Sequence, residues 1–479
     1  VGVESLLSAY HEDRSRLGEP GEGSFTGAAG GAACGDLARI SVEPVDGRIY
    51  RVTFDAEGCA ATRAACACVA EMVEGGSILE AAAIGTDDID EALGGLSPAS
   101  RHAAVLAADA LHRALSALAS SGVPIAAPKP DRVLVAVSGG VDSAVAALRE
   151  RERGAEVVAV TVKLWADPDT DGTKACCSPE AVLGARAVTH SMGMPHFTLD
   201  LEEPFRSRVV NGFLDGYAQG RTPNPCVLCN GEVRISAMVD LADRLGATHL
   251  VTGHYARIVD DGEGDLLAEG RDSNKDQSYM LAALPTDVIS RLSFPLAGVT
   301  KPEVREIASR NGLSVAKKPE SQDLCFLAGS SKKAFLRRHG DLGDLDGPVV
   351  DSAGRELGRH TGHHHFTVGQ RRGLRVAATQ PLYVTATDAR TNSVTVGPRE
   401  ELGAERVSVA DAVMHRDGAR VDRVRLRYRS RAVPARVAAT AGRHELLEIE
   451  LAEPFEGVAP GQTAVLMDGD TVVGHGTIK

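Results

Sequence analysis

The sequence predicts an α/β protein: a doubly wound parallel sheet mid-chain, an α+β module before it, and small β-barrel domains after it. Three observations carry this expectation. Residues 132–162 read as apolar strand, Gly-rich turn, helix and second apolar strand, and the alternation continues to THLVTGH at 248–254. Residues 122–131, GVPIAAPKPD, form a Pro-rich linker that separates this part from an Ala- and Gly-rich N-terminal stretch. Beyond Pro381 the chain turns to short alternating runs such as LYVTATD, SVTVG, RVRLRYRS, LLEIELAE and TAVLMDGDTVVG. The expected divisions are residues 1–122, a linker at 123–131, a catalytic part at 132–328, a central part at 329–398 and a barrel at 399–479.

In the first part, ARISVEPV and RIYRVTFD meet at Asp46-Gly47, a two-residue hairpin signal. Ala-rich helices follow around residues 59–73 and 99–119. In the second part, RVLVAV and EVVAVTV are continuous apolar runs, as expected of parallel strands covered on both faces. From about Gly329 onward helical periodicity thins out.

A chain of 479 residues has room for about three domains. No apolar run is long enough to span a bilayer, and VGVESLLSAYHEDRSR lacks the basic-then-apolar order of a secretory signal, so a cytoplasmic protein is expected. Nine cysteines in such a chain read as thiols, metal ligands or redox residues rather than a disulfide scaffold. The net charge of −13 argues against a general nucleic-acid coat or an anionic membrane as partner, and 4% aromatics argue against a broad base-stacking platform. Residues 1–128 hold 8 basic and 18 acidic side chains, a net of −10, so the remainder carries only −3. Within that remainder, residues 415–436 hold eight Arg and two Asp, which suggests a strand that contacts phosphates.

Ser138-Gly139-Gly140-Val141-Asp142-Ser143 lies between an apolar strand and a helix. Two glycines let backbone N–H groups approach an anion, the helix N-terminus favours negative charge, and Asp142 is a candidate ligand for a phosphate-bound Mg²⁺. No G-x-x-x-x-G-K-[ST] is present, which excludes the kinase-type P-loop. SGGVDS resembles the PP-loop of ATP pyrophosphatases, which implies ATP cleavage between the α- and β-phosphates and transfer of AMP.

Asn224-Pro225-Cys226-Val227-Leu228-Cys229-Asn230 precedes a helical stripe of Val233, Met238, Leu241 and Leu245, where the dipole favours thiolate. Downstream come Thr252-Gly253-His254-Tyr255, Lys275-Asp276-Gln277-Ser278-Tyr279 and Ser321-Gln322-Asp323-Leu324-Cys325-Phe326. In this order the motifs resemble the tRNA-specific 2-thiouridylase family (MnmA), from about Pro130 to the C-terminus. Gly369-Gln370-Arg371-Arg372-Gly373-Leu374, Arg427-Tyr428 and Pro460-Gly461-Gln462 fit the same family. The resemblance implies a PP-loop (adenine nucleotide α-hydrolase-like) fold, with ATP lined by Ala136, Val137, Ser138, Gly139, Gly140, Val141, Asp142, Ser143, Val162 and Gly253. It implies a persulfide on Cys325, attack by Cys229, a resulting Cys229–Cys325 disulfide and a thiol reductant that resets it. Asn224, Pro225 and Cys226 would lie near the target base, and His254, Lys275, Asp276, Gln277, Arg427, Tyr428 and Gln462 would contact tRNA. A cysteine desulfurase or sulfur relay protein would supply the sulfur.

One position departs from the family: Cys226 stands where many members have Asp. Three thiols at 226, 229 and 325 could alternatively hold a [4Fe–4S] cluster with one open iron. Cys176-Cys177 read as a pair without chemistry, and His363-His364-His365 as a polar loop or strand beside the tRNA. Two other functions fit parts of the pattern: another PP-loop ligase, and a non-enzymatic iron–sulfur carrier.

The N-terminal part resembles the IscU/NifU-type iron–sulfur scaffold family through Cys34-Gly35-Asp36, Gly58-Cys59-Ala60-Ala61, GGSILEA and Arg101-His102. Ala103 occupies the place of that family's third cysteine. Cys34, Asp36, Cys59 and His102 remain as a candidate tetrahedral set for Zn²⁺ or Fe, while Cys66 and Cys68 read as core thiols. A sulfur- or metal-handling module and a degenerate docking fold are both consistent with this set.

Overall fold

The computed structural model describes residues 3–30, 35–170, 178–319 and 324–479, with backbone only for residues 3–5. Cys34, Cys176, Cys177 and Ser321-Gln322-Asp323 lie outside the described residues.

The Asp46-Gly47 turn has both residues at positive φ (48° and 77°), the conformation that lets a two-residue loop follow strand twist. It joins strands Leu37–Val45 and Arg48–Glu57, and Phe25–Gly30 completes a three-stranded antiparallel sheet. Helices Ala60–Val73 and Arg101–Ser120 cover one face, burying Ile40, Val42, Val52 and Phe54. Their many alanines permit a close approach: a Cβ at Gly27 would stand 2.1 Å from the Ala110 carbonyl oxygen. Cys66 and Cys68 are fully buried in this layer, and burial pushes their thiols up to about 12 and about 11, so both are core groups. The module packs directly on its neighbour: Arg186 reaches Asp109 at 3.3 Å, and the His190 ring donates to the Ala82 carbonyl at 3.1 Å.

The second sheet is wholly parallel, in the order Leu292–Ser293, His249–Val251, Arg132–Ala136, Glu156–Lys163, His196–Asp200. The chain steps outward from Arg132–Ala136 to one side, then returns to lay His249–Val251 on the other. The loop after Arg132–Ala136 therefore opens at the topological switch point, where such sheets bind ligands.

The C-terminal strands Gly403–Met414, Gly442–Glu456, Val433–Val437, Arg423–Arg425, Thr463–Asp468 and Thr471–Ile478 close into a six-stranded barrel, the first pairing with the last. A four-stranded sheet of Glu356–His360, Gly347–Val350, Ser393–Gly397 and Tyr383–Asp388 precedes it. Two expectations need correction here. RVRLRYRS is a strand only to Arg425; Leu426 turns into the core and Arg429 adopts a left-handed φ of 62°. His363-His364-His365, expected as a polar loop or strand, is a tight 3₁₀ turn whose His363 and His364 are buried rather than presented at the surface.

Part of the arginine run is spent within the fold, and Arg423, Arg429, Arg431 and Arg436 are exposed. Arg416 pairs with Asp261 at 2.8 Å, Arg420 with Asp261 and Asp468, Arg423 with Asp422, Arg425 with Asp276 and Glu269, and Arg431 with Glu453. The bonds of Arg416, Arg420 and Arg425 fasten a hairpin of the preceding part, Ala256–Asp260 and Asp265–Glu269, to the barrel. Among the described residues, Arg427, Arg429 and Arg436 are the members of the run with no carboxylate partner. Arg416, Arg420 and Arg425 are thus a structural seam rather than a phosphate-contacting strand.

Arg416 and Arg420 hold the Asp261 carboxyl well below the usual carboxylate range. A depressed carboxyl stabilises the fold fully above its unfolded value near pH 4, and that stability is lost as the pH falls through the folded value. Asp261→Asn is expected to be less stable at neutral pH and to lose less stability on acidification; urea midpoints measured from neutral pH downward check this.

Candidate active site

The loop after Arg132–Ala136 is built by its own side chains. The Ser143 hydroxyl accepts from the Ser138 N–H at 3.1 Å and donates to the Gly140 carbonyl at 3.1 Å, while Gly139 takes a positive φ of 67°. Val141 turns away to pack with Val145, Tyr255 and Val304, so helix Val141–Glu152 starts with its first N–H groups at the loop. A cavity of about 260 Å³ opens beside it, lined by Ala136, Val137, Ser138, Asp142, Ser143 and Val162 among others. Gly139, Gly140 and Val141 do not line it. Gly253 also lines it and packs against the end of this loop, where a Cβ would stand 2.8 Å from the Ser143 nitrogen. Gly253→Ala is expected to push this loop out of place, lowering stability by about 1–3 kcal/mol and weakening ATP binding; denaturant midpoints and nucleotide titration check both.

Three cationic residues at this site escaped the sequence reading. The Lys301 ammonium bonds both Asp142 carboxylate oxygens, at 2.7 and 2.6 Å, and the Tyr255 hydroxyl donates to the same carboxylate at 2.7 Å. Lys318 donates to the Gly139 carbonyl at 2.9 Å. Arg234 lines the cavity and bonds Asn230 Oδ1 at 2.6 Å and His254 Nε2 at 3.3 Å. Because a guanidinium only donates, His254 Nε2 accepts and Nδ1–H donates to Thr252 Oγ1 at 2.6 Å. Burial, with help from Arg234, lowers the His254 pKa to about 3, so the ring is a neutral wall of the cavity. Asp142 was a candidate Mg²⁺ ligand; with both oxygens on an ammonium, its carboxylate is already neutralised by the protein.

The cysteine motif begins a helix rather than preceding one. Asn224 caps it by accepting from the Cys226 N–H at 3.2 Å, Pro225 takes the first position, and the helix continues through a π-helical turn, Cys229–Arg234, into Ile235–Arg244. Val233, Met238, Leu241 and Leu245 are all buried, as their spacing predicts. Cys226 is partly exposed and Cys229 buried. Arg234 and Met238 on this helix wall the same cavity as the Gly-rich loop. Cys325 is partly buried on the 3₁₀ turn Cys325–Leu327.

Several residues expected at tRNA have other partners. Gln462 donates to the Thr222 carbonyl at 2.7 Å, and the Pro460 carbonyl accepts from the Thr222 N–H at 2.7 Å, so the barrel pins the segment entering the cysteine helix. Arg427 donates to the Gly457 carbonyl at 2.7 Å, and Tyr428 lies 5.9 Å from the Tyr279 ring. Asp276 is buried and accepts from Gly270, Ser278 and Arg425. Gln277 lines the cavity with His254, and Lys275 is half-buried in the adjoining loop.

In the N-terminal module, Asp36, Cys59 and His102 converge, their ligand atoms all within 4.8 Å of one another. His102 Nε2 lies 3.1 Å from Asp36 Oδ2 and 3.6 Å from Cys59 Sγ, while His102 Nδ1 donates to the Ala99 carbonyl and so orients the ring. Thr62, donating at 2.6 Å, is the main cause that brings the Asp36 carboxyl down to about 2.

Residues 7–121 match the NifU-like N terminal domain, 131–329 the tRNA methyl transferase HUP domain, 333–398 the tRNA methyl transferase PRC-barrel domain and 403–478 the aminomethyltransferase beta-barrel domain. The chain is 47% identical to the bifunctional protein NifU/MnmA of Rubrobacter xylanophilus, over 96% of this chain and 95% of that protein. It belongs to the NifU/MnmA family. The MnmA part alone is 42% identical to the tRNA-specific 2-thiouridylase MnmA of Geobacter metallireducens, over 72% of this chain and 96% of that protein. The NifU part overlies the N-terminal NifU-like protein of Brucella abortus with a TM-score of 0.17 and 19% identity, covering 22% of this chain and 73% of that one. The NifU/MnmA architecture accounts for the charge split: the acidic surplus belongs to the NifU part. Among the described residues, no helix is long and apolar enough to cross a membrane.

Proposed function

We propose that this chain thiolates the wobble uridine of tRNA at C2, using ATP to activate the C2 oxygen and a cysteine persulfide as the sulfur source. The activity at family level is that of a tRNA-specific 2-thiouridylase, a tRNA sulfurtransferase. The observation that carries the chemistry is the shared cavity: the Gly-rich loop forms one side, and Arg234 and Met238, from the helix that bears Cys226 and Cys229, form another.

The C2 oxygen of uridine is a poor leaving group. Its attack on the α-phosphorus of ATP expels pyrophosphate and converts that oxygen into part of an AMP leaving group. Backbone N–H groups at the start of helix Val141–Glu152 and the cavity-lining Arg234 supply positive charge where phosphate charge develops, while Lys301 cancels the Asp142 carboxylate beside them. The Cys229 thiolate attacks the Cys325 sulfur of the persulfide, forming a Cys229–Cys325 disulfide and releasing hydrosulfide, which adds to C2 and expels AMP. A thiol reductant then restores both thiols, and a cysteine desulfurase or relay protein reloads Cys325. Cys226, partly exposed in the turn that Asn224 caps, is read as the thiol beside the target base.

Asp36, Cys59 and His102 fit a Zn²⁺ or Fe ion, with Cys34 as the fourth candidate ligand. A thiolate-bearing site there would supply a metal- or sulfur-handling centre close to the enzyme that uses sulfur.

The test is nucleoside mass spectrometry on tRNA incubated with protein, ATP, cysteine and a desulfurase, with and without an anaerobically reconstituted cluster. 2-Thiouridine formed at the same rate in both arms supports the persulfide route. Formation only in the cluster arm, lost in Cys226→Ser and kept in Cys59→Ser, assigns Cys226, Cys229 and Cys325 to a [4Fe–4S] centre, and formation in neither arm removes the activity.

A further inference from the structure

Cys325 sits on a turn that leaves through Ala328 in a left-handed conformation (φ 46°), which a non-glycine residue holds only with outside support. Part of that support is the next side chain. Phe326 is 1% exposed, with its ring 5.1 Å from Phe213, 5.2 Å from Phe335 and 6.0 Å from Phe205. The rest comes from the loop after strand Glu156–Lys163. The Asp167 N–H donates to the Phe326 carbonyl at 3.2 Å. The Asp167 carboxylate, wholly buried, accepts from His339 Nε2 at 2.9 Å and from the Arg338 guanidinium, both at the end of helix Lys332–His339. Arg338 reaches back to the Ser330 hydroxyl at 2.9 Å, closing the segment between Cys325 and the helix.

We infer that Asp167 is a positioning residue for sulfur transfer: its buried carboxylate, gripped by Arg338 and His339, fixes the backbone N–H that holds the Cys325 turn through Phe326. The inference rests on the reading of Cys325 as the sulfur carrier. A buried carboxylate with two cationic-capable partners specifies geometry more than it adds stability. Geometry is what attack between two cysteine sulfurs demands, since a misplacement of about 1 Å is enough to slow a transfer of this kind substantially.

Asp167→Asn removes the charge and keeps the shape. In the full-length protein it is expected to slow turnover to thiouridine (kcat) by about tenfold or more, leaving the KM for ATP and tRNA-dependent pyrophosphate release unchanged. Iodoacetamide labelling followed by peptide mass spectrometry is expected to show a several-fold change in the alkylation rate of Cys325 and none at Cys229. Arg338→Gln is expected to change both readouts in the same direction, and it serves as the test if Asp167→Asn fails to fold. Thiouridine formation at the wild-type rate in the folded variants overturns the inference. So does a parallel fall in pyrophosphate release, because that marks general disruption of the fold. If Cys325→Ser makes thiouridine normally, the reading of Cys325 falls, and the alkylation rates still test the clamp on its own.

Discussion

Cys325→Ser protein will release pyrophosphate from ATP when tRNA is present, yet will make no 2-thiouridine. A serine hydroxyl cannot carry a sulfane sulfur, so the second half of the reaction has no donor. The first half should survive. The cavity proposed to take the nucleotide is lined by Ser138, Asp142, Ser143, Gly253 and His254 but not by Cys325, whose turn is held separately by Phe326. The expected loss in thiouridine is at least about 10³-fold, with tRNA-dependent pyrophosphate release within about twofold of wild type. Thiolation at the wild-type rate would remove the persulfide route.

Lys301→Met will have the opposite signature, a loss of the first step. Lys301 is nine-tenths buried, and its ammonium is the cation on Asp142. Without it, the Asp142 carboxylate keeps the Tyr255 hydroxyl but faces the triphosphate as an uncompensated anion. Removing one partner of a fully buried pair costs about 3–5 kcal/mol in stability, and the loss here is smaller because the Asp142 carboxylate is 31% exposed. Removing one preorganised charge from a phosphoryl site lowers the rate roughly 10²–10³-fold. Pyrophosphate release and the KM for ATP measure this. Unchanged pyrophosphate release would mean that Lys301 is a structural counter-ion only.

The two experiments follow the line between what the sequence makes legible and what it hides. SGGVDS, the C-x-x-C and the Asp46-Gly47 hairpin are readable because their physics is local: glycines for backbone approach, a helix start, a turn needing two positive φ angles. Lys301 is not readable in the same way. Within Thr300-Lys301-Pro302-Glu303 it looks like the first turn of a capped helix, which it also is, with Glu303 bonding back to Thr300. Its partner lies 159 residues earlier, and no spacing rule connects them. Asp167 is hidden for the same reason, 171 and 172 residues from Arg338 and His339. The arginine run misleads in the other direction. A dense positive strand suggests phosphate, but five of its eight members meet carboxylates, four of them reaching acids outside the run. Asp36, Cys59 and His102 converge as the resemblance implies, because a hairpin end, a helix start and a second helix start all fall at one end of the N-terminal sheet.

A single-turnover experiment tests the central claim most directly. Protein carrying one persulfide on Cys325 is mixed with ATP and tRNA without reductant, and AMP, 2-thiouridine and the Cys229–Cys325 disulfide peptide are counted. Equal amounts of all three are expected, with arrest after one turnover until a thiol is added. Thiouridine formed without the disulfide, or continuing without reductant, would contradict it.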